Sequence, residues 1–232
     1  MASQGGFDPA DLPPIYVTAS GYDDMGAILD RLEVPYGSTS AVDLDSLDGG
    51  VVLVNCKMTW NASTLLPGHS SFKGSFGPFV ERGGAAVVSD LACVVVSECT
   101  DATFGHRNWR DDVRATVEDD ELADLLGRRE VTLDFDTAVK EPERLPAGAR
   151  PLLRDPQTDT VIAYQFSHGR GEVVYTTFHN HSQTSEVEES LLRLLLMIPI
   201  AESAGTTVTE TYTSIVDAPS VDADATGRAA SA

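Results

Sequence analysis

A chain of 232 residues with 42% apolar content can bury one substantial core, and it suits a single α/β domain with a tail better than two domains. Thirty-six acidic against 16 basic residues give a formal net charge of −20, a surface that repels phosphate backbones and so excludes nucleic acid as a partner. No apolar run reaches the roughly 20 residues of a membrane span, and Met1–Leu12 is polar and acidic, without the basic-plus-apolar start of an export signal. A cytoplasmic protein with no membrane partner is expected.

The acidic excess is dispersed, at Asp23-Asp24, from Asp43 to Asp48, at Asp111-Asp112 and from Glu118 to Glu121, and lysine is confined to Lys57, Lys73 and Lys140. An Asp-rich, Lys-poor surface suits the cytoplasm of a salt-in halophile, where molar salt shortens the Debye length to about 3 Å and self-repulsion costs little. An ordinary acidic protein is the alternative. Cys56, Cys93 and Cys99 are odd in number and have no CxxC spacing, so reduced thiols are expected rather than a disulfide framework or a structural zinc site. Neither a metal nor a cofactor is expected.

In chain order, Pro14–Ser20 is a short apolar run, and Met25, Ile28, Leu29 and Leu32 follow at helical spacing: a strand feeding a helix. VVLVNCKM (51–58) is a continuous β-branched run of the kind found in parallel sheets covered on both faces. FKGSFGPFVER (72–82) leads through Gly83-Gly84 into a further buried strand, AAVVS (85–89), the glycine pair reading as a helix stop. Repeated strand–helix units predict a doubly wound, mainly parallel sheet with helices on both faces. The pattern loosens over 91–136, where a loop is expected around Gly105–Asp112 and a strand at Glu130–Phe135. VIAYQFS (161–167) and EVVYTTF (172–178), joined through Gly169-Arg170-Gly171, predict an antiparallel hairpin. Ser185 with Glu188 makes a capping box for a closing helix through Val187, Leu191, Leu192, Leu195 and Ile198. The expected division is a flexible leader over 1–12, one α/β domain over 13–200 and a disordered acidic tail over 201–232.

Three segments in order, VVLVNCKMTW, FVERGGAAVVSD and GRGEVVYTTFHNHSQ, resemble the class I glutamine amidotransferase-like superfamily, and within it the trehalose-utilisation (ThuA-like) branch. In that superfamily the middle segment delivers a cysteine nucleophile on a sharp strand-to-helix elbow, and a His-Pro-Glu segment supplies the other two members of the triad. The resemblance puts the elbow at Ser89 or Asp90, where cysteine and its flanking glycines are missing. His179 matches the triad histidine, while His181 stands where the orienting Glu belongs. Glutamine hydrolysis needs a thiolate, a base and a group that fixes its tautomer, so glutaminase activity is not expected.

Asp90, at the carboxyl end of a central parallel strand, stands where open α/β sheets bind ligands, though helix capping would explain it equally. With His179 it forms a candidate acid–base pair. Ser89, Asn180, His181 and Gln183 are candidate ligand-binding residues. If the chain stayed extended, His179 and His181 would point to opposite faces and could share a metal only once the strand had ended. Cys56 reads as a buried thiol, not a displaced nucleophile. The expected function is a catalytically degenerate module that binds a small polar ligand or a protein partner near Asp90 and His179. The alternative is an active ThuA-like enzyme on a sugar derivative, with Asp90 and His179 as acid and base. Homo-oligomerisation through the sheet edge or closing helix stays open.

Overall fold

A computed structural model describes residues 12–38, 44–57, 69–108 and 112–216, without the side chains of 69–71. Trp60, Asn61 and Trp109 lie outside the described residues. The first half alternates strand and helix: β1 (Ile15–Val17), α1 (Met25–Arg31), β2 (Gly37–Ser38), β3 (Val51–Val54), α2 (His69–Glu81), β4 (Ala85–Ser89) and α3 (Cys93–Cys99). The second half is strand-rich: β5 (Thr103–Asn108), β6 (Val113–Val117), α4 (Asp120–Leu126), β7 (Glu130–Leu133), β8 (Ala138–Arg144), β9 (Arg150–Asp155), β10 (Thr160–His168) and β11 (Gly171–Thr176). Two helices, α5 (Glu186–Ala204) and α6 (Val208–Val216), follow it.

Nine strands form one sheet in the order β2-β1-β3-β4-β11-β10-β9-β6-β7. The first five run parallel and the pairings from β11 onward are antiparallel. The β-branched runs are buried on both faces because alternate residues serve two cores. Val51, Leu53, Val87 and Val174 pack with α1 and α5, while Val52, Val54, Val88 and Tyr175 pack with Phe76 and Phe79 of α2 and Val95 and Val96 of α3. This is the doubly wound α/β architecture read from the sequence, with the hairpin β10–β11 continuing into an antiparallel wing.

The hairpin turn is pressed onto the end of α2. A Cβ on Gly171 would lie 2.0 Å from the Gly84 carbonyl oxygen, and Gly169 has a φ of 62° with the Glu81 backbone 2.6 Å from where a Cβ would be. Only glycine fits either place. α1 is capped by Asp24, whose Oδ1 accepts from the Ala27 amide, and α5 by the expected Ser185–Glu188 capping box.

Two expectations need correction. The segment expected to be a loop around Gly105–Asp112 begins inside strand β5, which pairs with β8 in a separate two-stranded ribbon. Its partner lies some thirty residues on, and TFGHRN carries no alternating apolar pattern, so no local signal marks it. The tail expected from residue 201 is helical through Val216 in all but a short turn: α5 continues past Pro199, ends at Gly205 with φ 69°, and α6 buries Thr211 and Ile215. Thr209 anchors α6 by its amide and hydroxyl to Glu121 Oε1 of α4, at 3.0 and 2.9 Å. Tertiary contact to α4 and α5 supplies order that the Thr- and Ser-rich sequence does not suggest. No single helix among the described residues is long and apolar enough to cross a membrane.

Candidate functional site

From β1 the chain moves outward to β2, then returns to place β3 on the other side of β1. Such a reversal opens a crevice at the carboxyl ends of the parallel strands. Asp23 follows β1, Cys56 follows β3, Asp90 follows β4 and His179 follows β11, so four separate strands converge at that end. Asn55 joins two of them: its amide nitrogen donates to the Thr18 hydroxyl at 2.8 Å, its side-chain nitrogen to the Thr18 carbonyl at 2.7 Å, and its Oδ1 accepts from the Met25 amide at 2.9 Å.

Asp90 sits on the elbow itself. Its φ is 40°, in the left-handed region that a β-carbon disfavours and that Asp and Asn tolerate better than most. A tight turn (Asp90–Ala92) then feeds α3. The side chain is 1% exposed and its carboxylate is well supplied with donors. Oδ2 accepts from the Cys56 thiol at 3.2 Å and faces His179 Nε2 at 3.1 Å, while Oδ1 accepts from the Lys140 amide of β8 at 2.5 Å. Tyr175 reaches over from β11, its hydroxyl donating to the Lys140 carbonyl at 2.8 Å. The β5–β8 ribbon therefore lies across the elbow and shuts it from solvent.

His179, 3% exposed, is ringed by acids. Nε2 faces Asp90, Nδ1 lies 3.5 Å from Asp136 Oδ1, and Asp23 is close enough to act through its charge. Burial pulls the imidazolium's pKa down, but the hydrogen bond to Asp90 and the charges of Asp23, Asp90 and Asp136 outweigh it, leaving the value above 6.5. Asp23 is raised by burial, against the opposing effects of His179, the Ser89 hydroxyl and the Asn180 and Cys56 amides. Asp136 is lowered on balance: burial pushes it up, and hydrogen bonding together with the neighbouring His179 and His181 charges pulls it further down. Tyr22 stacks on one side of His179 at 5.7 Å and His181 on another at 5.5 Å.

β11 ends at Thr176, so His179 and His181 are not held on opposite faces. His179 precedes and His181 lies within a tight turn (Asn180–Ser182) stapled on both sides by paired hydrogen bonds. Asn180 Oδ1 accepts from the Asp24 amide at 2.9 Å and Nδ2 donates to the Asp24 carbonyl at 2.7 Å. Gln183 repeats the pattern on Asp134, Oε1 accepting at 3.1 Å and Nε2 donating at 2.7 Å, with a third bond to the His179 carbonyl. By holding Asp134, Gln183 brings Asp136 to the histidines.

Of the residues singled out in the sequence, Asp90, His179 and His181 are brought together. Ser89, Asn180 and Gln183 turn to the protein: the Ser89 hydroxyl is buried and bonded to Asp23, and both side-chain amides bond backbone. Cys56 is buried, donates to Asp90 and has its pKa pushed far up, first by burial and then by the Asp90 charge, so it holds its proton. Sequence reasoning missed Asp23, Asp136, Tyr22 and Asn55. The first two are indistinguishable by composition from a surface rich in Asp, and only their positions just beyond strand ends could have marked them. A cavity of about 20 Å³ lies behind the site among Met25, Ile28, Val87, Phe178 and Leu195. Two groups of donor atoms among the described residues are close enough to hold a metal: Asp23, Cys56 and His179, all buried, and Asp136, His179 and His181, of which only His179 is buried.

No family model and no curated protein matches the sequence. Solved structures do. A GMP synthase-type protein from Thermoplasma acidophilum is 13% identical with a TM-score of 0.54, covering 89% of this chain and 98% of its own. A glutamine amidotransferase from Methylobacillus flagellatus is 14% identical with a TM-score of 0.50, covering 75% and 72%. A β-galactosidase from Bacillus circulans sp. alkalophilus is 12% identical with a TM-score of 0.55; the match covers 88% of this chain but only 32% of the enzyme. At these identities the likeness is one of fold: the chain shares the α/β fold of these amidotransferase-type and β-galactosidase structures.

Proposed function

We propose that this protein is a non-glutaminase module on an amidotransferase-like fold, binding a small polar ligand or a protein partner at the rim outside Asp90 and His179. The observation that carries this reading is the chemistry at the elbow. A carboxylate, sealed from solvent and held by an imidazole, a thiol and a backbone amide, occupies the elbow, and the family resemblance would put there the thiolate that glutamine hydrolysis needs. Cys56, the thiol bonded to it, keeps its proton. Outside this sealed pair, Tyr22, Asp136 and His181 remain open and offer an aromatic face, a carboxylate and an imidazole to a polar group.

The test is ammonia release from glutamine by the full chain at high salt. No release above the buffer rate is expected, and release that vanished in Asp90→Asn or Cys56→Ser would defeat the reading.

A second reading, an active ThuA-like enzyme on a sugar derivative, is favoured by one observation: His179 has a carboxylate at each ring nitrogen, Asp90 at Nε2 and Asp136 at Nδ1, and Asp90 has a left-handed backbone. Under that reading Asp90→Asn and His179→Ala abolish turnover. Under the first the parent chain turns over no sugar derivative, so neither variant changes anything in that assay. The dispersed charge of −20 supports placing either activity in a salt-rich cytoplasm.

A further inference from the structure

We propose that Asp136, His179 and His181 form a mononuclear site for a divalent transition metal of the zinc class, open to solvent on one side. His179 Nδ1 lies 3.5 Å from Asp136 Oδ1 and His181 Nε2 lies 3.1 Å from Asp136 Oδ2. The three donor atoms fall within 4.8 Å of one another. Ligands bound to zinc at 2.0–2.1 Å in a tetrahedron stand about 3.3 Å apart, so the observed separations bracket what an ion requires. Two imidazoles with one carboxylate select zinc, copper, nickel or iron over magnesium and calcium, which prefer all-oxygen cages.

A second, independent observation is the support behind the donors. A metal-binding histidine characteristically gives its other ring N–H to a carboxylate, which fixes the tautomer and turns the free lone pair to the ion. His179 does this with Asp90: Nε2 meets Oδ2 at 3.1 Å, and Nδ1 is left facing Asp136. Asp90 is in turn held by Cys56 and Lys140, and the Asp136 loop by Gln183. The elbow carboxylate thus becomes a positioning residue for the site. The two rings lie at 14°, nearly parallel, so His181 must rotate to share a point with His179, and its side chain is about half exposed. Asp136 is similarly open, which leaves a coordination position for water or a ligand, as in zinc sites that act on a substrate rather than those that only brace a fold. The other donor group, Asp23, Cys56 and His179, is closed on every side and its thiol is engaged with Asp90.

This deepens the reading above by naming what the rim holds, and its test needs no organic ligand, so either idea can fail alone. The full chain is stripped with a chelator, returned to chelator-free buffer at high salt, and titrated calorimetrically with Zn²⁺ and spectroscopically with Co²⁺. One ion per chain is expected, with visible d–d bands for Co²⁺. His181→Ala and Asp136→Asn, both at exposed positions, should each abolish stoichiometric binding with unchanged circular dichroism. Asp90→Asn should weaken binding about 10-fold, the range for a supporting carboxylate. Absence of binding in the parent chain, or one-to-one binding kept by either of the first two variants, overturns the proposal in favour of loose attraction to an acidic surface.

Discussion

Asp90 Oδ2 and His179 Nε2 meet at 3.1 Å although the two residues are 89 positions apart and come from adjacent parallel strands. Both are almost wholly sealed from solvent. Removing one partner of such a pair leaves the other buried and uncompensated, at a typical cost of about 3–5 kcal/mol. Asp90→Ala should therefore lose stability on that scale in denaturant unfolding, with Ala at φ 40° adding strain. Asp90→Asn, which keeps shape and tolerates the left-handed backbone, should lose less. A double-mutant cycle with His179→Ala isolates the coupling, and additive losses would show that the two do not interact.

The same pair makes stability depend on pH. The folded-state pKa of His179 lies above the imidazole's ordinary 6.5, so its contribution is complete below 6.5 and is lost as pH rises through the folded value. Asp23, raised by burial, adds a decline that begins from 3.8 upward. In chelator-treated protein the unfolding free energy should fall above pH 6.5, and His179→Gln should flatten that part of the curve. Equal slopes in the two proteins would refute the assignment.

Burial raises all three thiols, Cys93 to about 12 and Cys99 to about 11, with Cys56 higher still. Iodoacetamide at pH 8 should leave the folded chain almost unmodified, whereas all three cysteines should react once it is unfolded. Half-buried Cys99 is expected to react first as pH climbs. Rapid modification of Cys56 in the native protein, located by peptide mapping, would contradict its protonated, hydrogen-bonded state.

With a net charge of −20, lowering salt lengthens the screening distance from about 3 Å at 1 M to about 10 Å at 0.1 M, so repulsion across the surface grows. Melting temperature followed by circular dichroism should drop steeply between molar and 0.1 M KCl. A melting point that stayed level across this range would remove the halophilic interpretation.

Sequence alone determined the strand–helix alternation through Ser89, the hairpin around Gly169-Arg170-Gly171 and the capped helix beginning at Glu186, because each is written in contiguous residues: β-branched runs, a glycine turn, a Ser–x–x–Glu box. It also marked Asp90, which directly follows an unmistakable apolar run, and the family resemblance marked His179. Tertiary structure decided the rest. The β5–β8 ribbon that closes the elbow, the docking of α6 on Glu121, and the arrival of Asp136 at His179 all join residues far apart in the chain with no periodic pattern of their own. An acid on an acid-rich surface carries no mark of its partner. Which carboxylates surround the imidazole is settled by where the backbone folds them, through the grip of Asn180 on Asp24 and of Gln183 on Asp134.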